Sequence, residues 1–279
     1  MPPLCAPANT QPCSWLRNSG SAIRDSHLLI DFSGGVGHVV GMPRMARIVI
    51  PGQPHHVVQR GNNRQDVFFV DADRRAYLEF LREHCERFGF KLLGYCLMTN
   101  HIHLVGTPVL EDSLAKAIGS AHFRYSQYVN RLHGRSGHLW QNRFFSCALD
   151  EVHMWRALCY VERNPVRAKM VRVAWRYHWS SAAAHTTGAD PSGSLDMTTW
   201  LNTWRPERWK SELRCAEDKP STAAIRLSTN RGRPLGSDSF LSKLEHRLGR
   251  RVRALPVGRP KRRRSTRKKA ATGSKHPRK

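Results

Sequence analysis

The sequence predicts an α+β fold, a small antiparallel sheet of the ferredoxin-like kind with helices packed on one face. Short stretches rich in β-branched and aromatic residues alternate with longer amphipathic stretches, in the order strand, helix, strand, helix, strand, helix. Gly, Pro and Asn separate these stretches, as expected for turns between packed elements. The 279 residues are enough to bury such a core and to carry appendages.

The first elements begin shortly after residue 45. Residues 55–60 are predicted to form a strand, and residues 67–70 a second short extended piece. Asp71 or Asp73 is suited to cap a helix that continues to about Phe88, where a glycine follows. The periodicity of the apolar residues thus predicts a first strand and a first helix in close succession.

The middle of the pattern contains the longest strand. Residues 92–105 are predicted to form one long central strand. Asp112 or Ser113 then opens a second helix that ends at Gly134, and residues 143–149 form a further strand.

The last helix of the pattern begins at Asp150. Met154, Leu158 and Val161 are its predicted buried positions. The helix should end near Asn164, because the residue before a proline is displaced from the α region.

Composition divides the chain into five parts. The first part, residues 1–44, lacks sustained periodicity and is expected to be disordered. A hypothesis is that translation really starts at Met42 or Met45. The Ala/Thr/Gly/Ser-rich stretch after the main domain predicts a linker with a short helix. In the basic module beyond it, Ser237 or Asp238 is expected to cap a short helix. The predicted parts are 1–44 (extension), 45–186 (main domain), 187–230 (linker), 231–257 (basic helical module) and 258–279 (disordered basic tail).

The charge of the chain indicates its type of partner. It contains 46 Lys and Arg against 21 Asp and Glu, a formal charge of +25. Residues 259–279 hold 11 of these basic residues and no acid, which leaves +14 on the remaining 258. Because the body is basic as well as the tail, a polyanion is expected as partner, and nucleic acid is the leading candidate.

Other partners and compartments are disfavoured. The sequence has no apolar run approaching the roughly 18 residues of a membrane span, no lipidation motif and no signal-peptide pattern at its start. Its seven cysteines include no Cys-x-x-Cys pair, so reduced thiols are expected rather than a disulfide framework or a zinc ribbon. These features predict a cytoplasmic protein.

Two histidines, His101 and His103, lie two residues apart on the predicted central strand. Residues with this spacing project from the same face, so the imidazoles would point together while Ile102 and Leu104 enter a core. Two neutral imidazoles side by side form one edge of a divalent-metal site. An incidental pair is the alternative, since the chain has 15 histidines.

Tyr160 and Asn164 lie four residues apart on the last predicted helix, so they share a helix face. A phenol one turn from an amide oxygen, facing two imidazoles, suits metal-assisted attack on a phosphodiester. The metal would polarise a phosphate oxygen, and the tyrosine oxygen would be the covalent nucleophile. The alternative makes Tyr160 an aromatic residue at the core edge and Asn164 a helix-ending residue.

Further residues are candidates for contacts with substrate. His55 and His56 point to opposite faces of a strand, so at most one joins the site, and a structural or substrate-contacting role is favoured over metal ligation. Arg60 and Arg143 lie at strand ends within reach of phosphates, with solvated surface arginines as the alternative. The C-terminal Gly-Arg-Pro segments suit nonspecific phosphate attraction or, as the second choice, a DNA minor groove. The C-terminal candidates are Arg231, Arg233, Arg259, Lys261, Arg262, Arg263 and Arg264.

Ordered motifs along the chain resemble a known family. LMTNHIHLV, LWQNRFFSCALD and CYVERNPVRAKMV, in that order, are similar to the tyrosine transposases of the HUH nuclease superfamily. PGQPHHVVQRGNNRQDVFF and GRPLGSDSF resemble in particular the REP-associated tyrosine transposases of bacteria. The resemblance covers roughly residues 45–260. Thr99 and Glu162 depart from the family, which often has Pro and His at these positions.

The resemblance implies the HUH endonuclease fold and a single-strand DNA endonuclease and strand transferase. His101 and His103 match the metal-binding pair, Tyr160 the nucleophile, and Asn164 the position of a third ligand, with Mg²⁺ or Mn²⁺ as the metal. Tyr160 would form a 5′-phosphotyrosine and free a 3′-hydroxyl, without a nucleotide cofactor. The substrate would be hairpin-forming single strands of REP elements, bound by a monomer or a homodimer in association with the nucleoid. The alternatives are a domesticated hairpin-binding protein without chemistry and a hydrolytic metal-dependent nuclease.

Overall fold

The computed structural model describes residues 47–215 and 217–253. Within these ranges the chain forms four strands and nine α-helices. The strands are β1 (His55–Arg60), β2 (Phe90–Leu97), β3 (His101–Pro108) and β4 (Phe145–Ala148). The helices are α1 (Asp71–Phe88), α2 (Ser113–Leu132), α3 (Glu151–Glu162), α4 (Asn164–Arg167), α5 (Ala182–Thr187), α6 (Thr198–Thr203), α7 (Pro206–Arg214), α8 (Lys219–Arg231) and α9 (Asp238–Leu248). The predicted extension 1–44 and tail 258–279 lie outside the described residues. In the described ranges, no helix has the length and apolar character that a bilayer crossing needs.

The strands form one antiparallel sheet in the order β2-β3-β1-β4. Helix α1 connects β1 to β2, and α2 connects β3 to β4, so the chain follows a β-α-β-β-α-β path. This path and strand order are those of the ferredoxin-like fold. The predicted α+β class is therefore confirmed.

Helices α1 and α2 cover one face of the sheet. Their buried side chains, among them Tyr77 and Leu81 of α1 and Tyr125 of α2, form one core cluster with Ile102 and Leu104 of β3. The predicted limits of α1 are confirmed, since it begins at Asp71 and ends where the following glycine adopts a left-handed conformation with φ of 65°.

Helix α3 lies on the opposite face, so the prediction of helices on one face holds for α1 and α2 only. Its buried residues, including Leu158 and Val161, form a second cluster with sheet residues Cys96, Val105 and Cys147. Opposite strand residues pair across β1 and β3 in the register Val58 with His103 and His56 with Val105. Side chains that pair in this way share a face of the sheet. Val105 packs in the cluster with α3, so His103 and His101, two and four residues earlier on β3, project toward α3 as well.

The predicted long central strand is wrong, because residues 92–105 contain a hairpin. Strand β2 ends at Leu97 and β3 begins at His101, and Leu97 pairs with Ile102. The amide of Met98 donates to the carbonyl of His101 at 2.9 Å and closes the turn. Asn100 in this turn is a residue that favours turns, but no glycine or proline marks the break.

The predicted extended piece at 67–70 is also wrong. The amides of Val67 and Phe68 both donate to the carbonyl of Thr99, at 3.0 and 3.2 Å, so they anchor the segment to the hairpin turn. Both side chains are buried in the cluster between the sheet and helices α1 and α2. The apolar run is thus a loop outside the sheet, with Val67 and Phe68 buried and Phe69 and Val70 exposed.

The segment 187–230 differs from the predicted linker with one short helix. It contains α6, α7 and nearly all of α8. Trp200, Trp209, Leu213 and Ile225 from these helices are buried in the cluster beneath α3. The segment is therefore packed structure that completes the second layer of the domain.

Helix α9 has the predicted cap and apolar face. The hydroxyl of Ser237 accepts from the amide of Phe240 at 3.3 Å. Leu244 is buried against Ile48 and Ile50 before β1. The described part of the basic module is thus attached to the beginning of the domain.

Candidate active site

The two histidines of β3 lie side by side on the face that α3 covers. The ring centroids of His101 and His103 are 5.2 Å apart, with the ring planes at 78°. Ile102 between them is buried in the opposite core. The arrangement follows from the two-residue period of a strand, as the sequence predicted.

Tyr160 lies against His103. The two ring centroids are 5.6 Å apart, and the rings meet edge to face at 87°. Helix α3 brings the phenol there because it is capped by Asp150, whose side chain accepts from the amide of His153 at 2.9 Å, and because Leu158 and Val161 pack on the sheet. The side chain of Tyr160 is 7 % exposed. The predicted phenol and imidazoles are therefore neighbours.

Asn164 is the first residue of α4, and only Arg163 separates it from the end of α3. Its side-chain oxygen accepts a hydrogen bond from the guanidinium of Arg167, while its Nδ2 is buried without a hydrogen-bond partner among the described residues. The amide oxygen is thus already engaged by a cation. In this arrangement Asn164 does not offer a free oxygen to the histidine pair.

His56 also belongs to this cluster. Its ring stacks on His103 with centroids 5.3 Å apart, and its Nε2 is 3.1 Å from Nδ1 of His103. The centroid of Tyr160 lies 5.8 Å from that of His56. His55 points to the opposite face, where its Nδ1 lies 2.8 Å from the carbonyl oxygen of Gln53. Of the two adjacent histidines one joins the site, and its contacts are with side chains of the site.

Two arginines that were not among the predicted site residues lie beside the phenol. Nε of Arg226 donates to the hydroxyl of Tyr160 at 3.2 Å. The guanidinium carbon of Arg167 lies 4.4 Å from the centroid of the Tyr160 ring, and its Nη1 donates to Glu217 at 3.0 Å. Arg226 reaches the site because α8 packs against β4 and α3. Its segment was predicted as a linker, so no periodicity pointed to it.

The imidazoles of the site are neutral at pH 7. Burial, followed by the charges of Arg60 and Arg167, lowers the pKa of His101 to about 4. Burial lowers the pKa of His56 to about 3. The pKa of His103 falls well below its usual value, first through burial and then through the neighbouring imidazoles and guanidinium groups. Each neutral ring keeps one nitrogen lone pair, as a metal ligand must.

The donor set fits a divalent cation through its two imidazoles. Nδ1 of His101 lies 2.7 Å from the side-chain oxygen of Asn100, so Nδ1–H donates there and Nε2 keeps its lone pair. In the described ranges, no three His, Cys, Asp or Glu side chains group as a metal site. A third protein ligand would therefore be of another type, and the oxygen of Asn164 suits this role only when Arg167 releases it.

The predicted DNA-contacting residues are dispersed. Arg60 is exposed and pairs in register with His101, so it borders the site. Arg143 is exposed beside β4. The pKa of Arg47 is lowered mainly by its burial and secondly by the charge of Arg143. Arg231 and Arg233 are half-buried at and beyond the end of α8. The remaining candidates lie outside the described residues: Arg259, Lys261, Arg262, Arg263 and Arg264.

Comparison with known proteins places the site in a family context. Residues 52–164, which contain the histidines, the tyrosine and the asparagine, match the family model described as "Transposase IS200 like". The chain is 26 % identical over 124 residues to a Haemophilus influenzae protein named "Putative REP-associated tyrosine transposase". This match covers 40 % of the present chain and 68 % of the H. influenzae protein. The present chain is also similar to a solved structure of a REP-associated tyrosine transposase bound to a REP hairpin, with 18 % sequence identity and a TM-score of 0.43. This match covers 54 % of the present chain and 89 % of the chain in the solved structure.

Proposed function

We propose that the protein, whose residues 52–164 match the family model described as "Transposase IS200 like", is a metal-dependent single-strand DNA endonuclease and strand transferase that uses Tyr160 as its nucleophile. The observation that carries the proposal is the position of the phenol beside the His101–His103 pair. The ring centroids of Tyr160 and His103 are 5.6 Å apart. A nucleophile next to two neutral imidazoles is what metal-assisted phosphodiester transfer requires.

The reaction is a transesterification. The oxygen of Tyr160 forms a bond to phosphorus, the bond between phosphorus and the 3′-oxygen breaks, and the phenolic proton ends on the released 3′-hydroxyl. The product is a 5′-phosphotyrosine, and attack by another 3′-hydroxyl reverses the step and joins strands. The bond energy is conserved in the ester, so no nucleotide cofactor is required.

His101 and His103 would hold Mg²⁺ or Mn²⁺, with imidazole ligands favouring Mn²⁺ somewhat. The cation, when bound, supplies Lewis-acid activation of the scissile phosphate. Arg226 donates to the tyrosine oxygen and stabilises the negative charge on it. Asn164 would serve as the third ligand if Arg167 released its oxygen, and the guanidinium of Arg167 would then contact a phosphate of the substrate.

The proposed substrate is a hairpin-forming single strand of the REP type. The name of the H. influenzae relative supports this substrate, and the formal charge of +25 supports a nucleic-acid partner. The pairing of Arg60 with His101 in the sheet supports a contact of Arg60 with the DNA backbone near the scissile phosphate. We place the protein in the cytoplasm, in association with DNA, as a monomer or a homodimer.

A hairpin-binding protein without chemistry is the second candidate, but it does not account for a tyrosine hydroxyl that is held by Arg226 beside two neutral histidines. A hydrolytic nuclease is the third candidate. It would use the same histidine pair but would release its product.

One experiment separates these activities. The protein is incubated with labelled single-stranded hairpin DNA and Mn²⁺, and the products are resolved on a denaturing gel. We expect a covalent protein–DNA band that is absent with Tyr160→Phe and with His101→Ala, while hairpin affinity is retained in both. Free product that persists with Tyr160→Phe would indicate hydrolysis, and binding without either product would indicate the non-catalytic candidate.

A further inference from the structure

A chain of hydrogen bonds connects His103 to helix α8. Nδ1 of His103 lies 3.1 Å from Nε2 of His56, and Nδ1 of His56 lies 2.8 Å from the hydroxyl of Thr229. The hydroxyl of Thr229 lies 2.8 Å from the carbonyl oxygen of Ile225, one turn earlier on α8. His56, His103 and Thr229 are all at most 5 % exposed, so bulk water does not compete for these atoms.

The last link sets the direction of the chain. Thr229 has one hydroxyl hydrogen, and a threonine inside a helix donates it to the carbonyl four residues earlier, here that of Ile225. The thiol of Cys147, whose Sγ lies 3.2 Å from the same hydroxyl oxygen, is then a donor to it. The hydroxyl oxygen then accepts from Nδ1–H of His56, which leaves Nε2 of His56 as an acceptor. His103 must therefore donate from its own Nδ1, and its Nε2 keeps the lone pair.

We propose that Thr229 is a positioning residue that acts through His56 to hold His103 in the tautomer whose Nε2 can bind the catalytic cation. The inference rests on the proposed function, since it takes His103 as a ligand. Nε2 of His101 is freed in the same manner by Asn100, whose oxygen accepts from Nδ1–H at 2.7 Å and whose Nδ2 donates to the carbonyl of Arg64 at 3.1 Å.

The two ligands thus receive the same tautomer from different parts of the chain. Asn100 lies in the hairpin turn inside the family match, whereas Thr229 lies on α8, beyond residues 52–164. Groups that orient a metal-binding histidine typically change metal affinity by about 10- to 100-fold when they are removed. Helix α8 is therefore part of the catalytic centre.

The tautomer can be measured without metal, DNA or activity. Full-length, metal-free protein with ¹⁵N-labelled histidine is studied by long-range ¹H–¹⁵N correlation NMR, with His103 assigned from a His103→Gln spectrum. We expect His103 to carry its proton on Nδ1. Thr229→Val, which keeps the branched shape but removes the hydroxyl, should move part or all of the His103 population to the Nε2–H tautomer.

The conservative variant separates orientation from packing. Thr229→Ser keeps the hydroxyl and should keep the Nδ1–H tautomer of His103. Thr229→Val should bind Mn²⁺ about 10- to 100-fold more weakly than Thr229→Ser. This affinity is measured by EPR of the free Mn²⁺ ion. A proton on Nε2 of His103 in the unmodified protein would overturn the inference, and this result does not depend on how the valine variant folds. Unchanged tautomer and Mn²⁺ affinity in a folded Thr229→Val protein would overturn it as well. Absence of a covalent DNA adduct, with the tautomer as expected, would contradict the proposed function and leave the hydrogen-bond chain intact.

Discussion

Nε of Arg226 lies 3.2 Å from the hydroxyl oxygen of Tyr160, across a sequence separation of 66 residues. A cationic donor at this position stabilises negative charge on the tyrosine oxygen, and hydrogen bonds to charged groups contribute roughly 1.5–3 kcal/mol. We predict that Arg226→Ala slows formation of the covalent DNA complex by about 10- to 100-fold, measured in single-turnover assays.

Arg231→Ala is the matched control for Arg226→Ala, because Arg231 ends the same helix and its removal changes the net charge equally. The control should bind hairpin DNA as weakly as Arg226→Ala but should form the adduct at close to the parent rate. Equal rates in the two variants would mean that Arg226 contributes only charge.

Glu162 should be essential for stability although it does not contact the site residues. Its buried carboxylate accepts hydrogen bonds from Ser181 and His185, and from Nε1 of Trp209 at 2.8 Å. Glu162→Ala leaves these donors unsatisfied, so we predict a loss of about 3–5 kcal/mol in the free energy of unfolding, measured by urea denaturation. The same exchange at exposed Glu111 should cost less than about 0.5 kcal/mol. Similar values for the two variants would show that the buried network is not stabilising.

Stability should decrease in mild acid because of histidines that are buried in the neutral form. Burial lowers the pKa of His55 to about 4 and that of His122 to about 3, in the second case with a contribution from Arg47. The unfolded chain takes up these protons near pH 6.5, before the folded one does, so stability is full above that pH. It falls below that pH, down to about pH 4 for the contribution of His55 and about pH 3 for that of His122.

The expected slope is about 1.4 kcal/mol per pH unit for each such ring, and His56, His101 and His103, whose pKa values burial also lowers, add to it in the same direction. It is measured as the free energy of unfolding in urea at a series of pH values. His122→Gln, which can still accept from the hydroxyl of Tyr77, should reduce the slope by the share of one ring. A profile that stays flat from pH 7 to 4.5 would show that these rings do not titrate differently in the two states.

The basic tail should contribute to DNA binding through charge. Deletion of residues 259–279 removes 11 Lys and Arg. We predict that the deletion weakens hairpin binding. The slope of log K against log salt concentration should become smaller in magnitude by about 0.7 for each phosphate contact that is lost. A chain of full length with these residues replaced by Gln should behave like the deletion. If the salt slope is the same as that of the parent, the tail does not contact the DNA.

The sequence predicted the parts of the site that follow from local periodicity. His101 and His103 share a face because a strand repeats every two residues. Tyr160 faces them because the apolar residues of α3 fix which side of the helix meets the sheet. The hairpin between β2 and β3 was missed because its turn has neither glycine nor proline.

The rest of the site depends on contacts that no local pattern encodes. Arg226 meets Tyr160 across 66 residues, and Thr229 meets His56 across 173. Both lie in a segment whose small polar residues predicted a linker, and helices α6 to α8 form there because their few large side chains, such as Trp200 and Trp209, are buried beneath α3. Tertiary burial outweighed local propensity in this segment.

In the proposed reaction the oxygen of Tyr160 becomes joined to DNA. The most direct test is to incubate the protein with hairpin DNA and Mn²⁺, digest protein and DNA to small fragments, and identify the modified peptide by mass spectrometry. We predict a nucleotide linked through its 5′-phosphate to Tyr160, and no adduct in the His103→Ala protein. An adduct on another residue, or cleaved DNA with no adduct on any peptide, would show that Tyr160 is not the nucleophile.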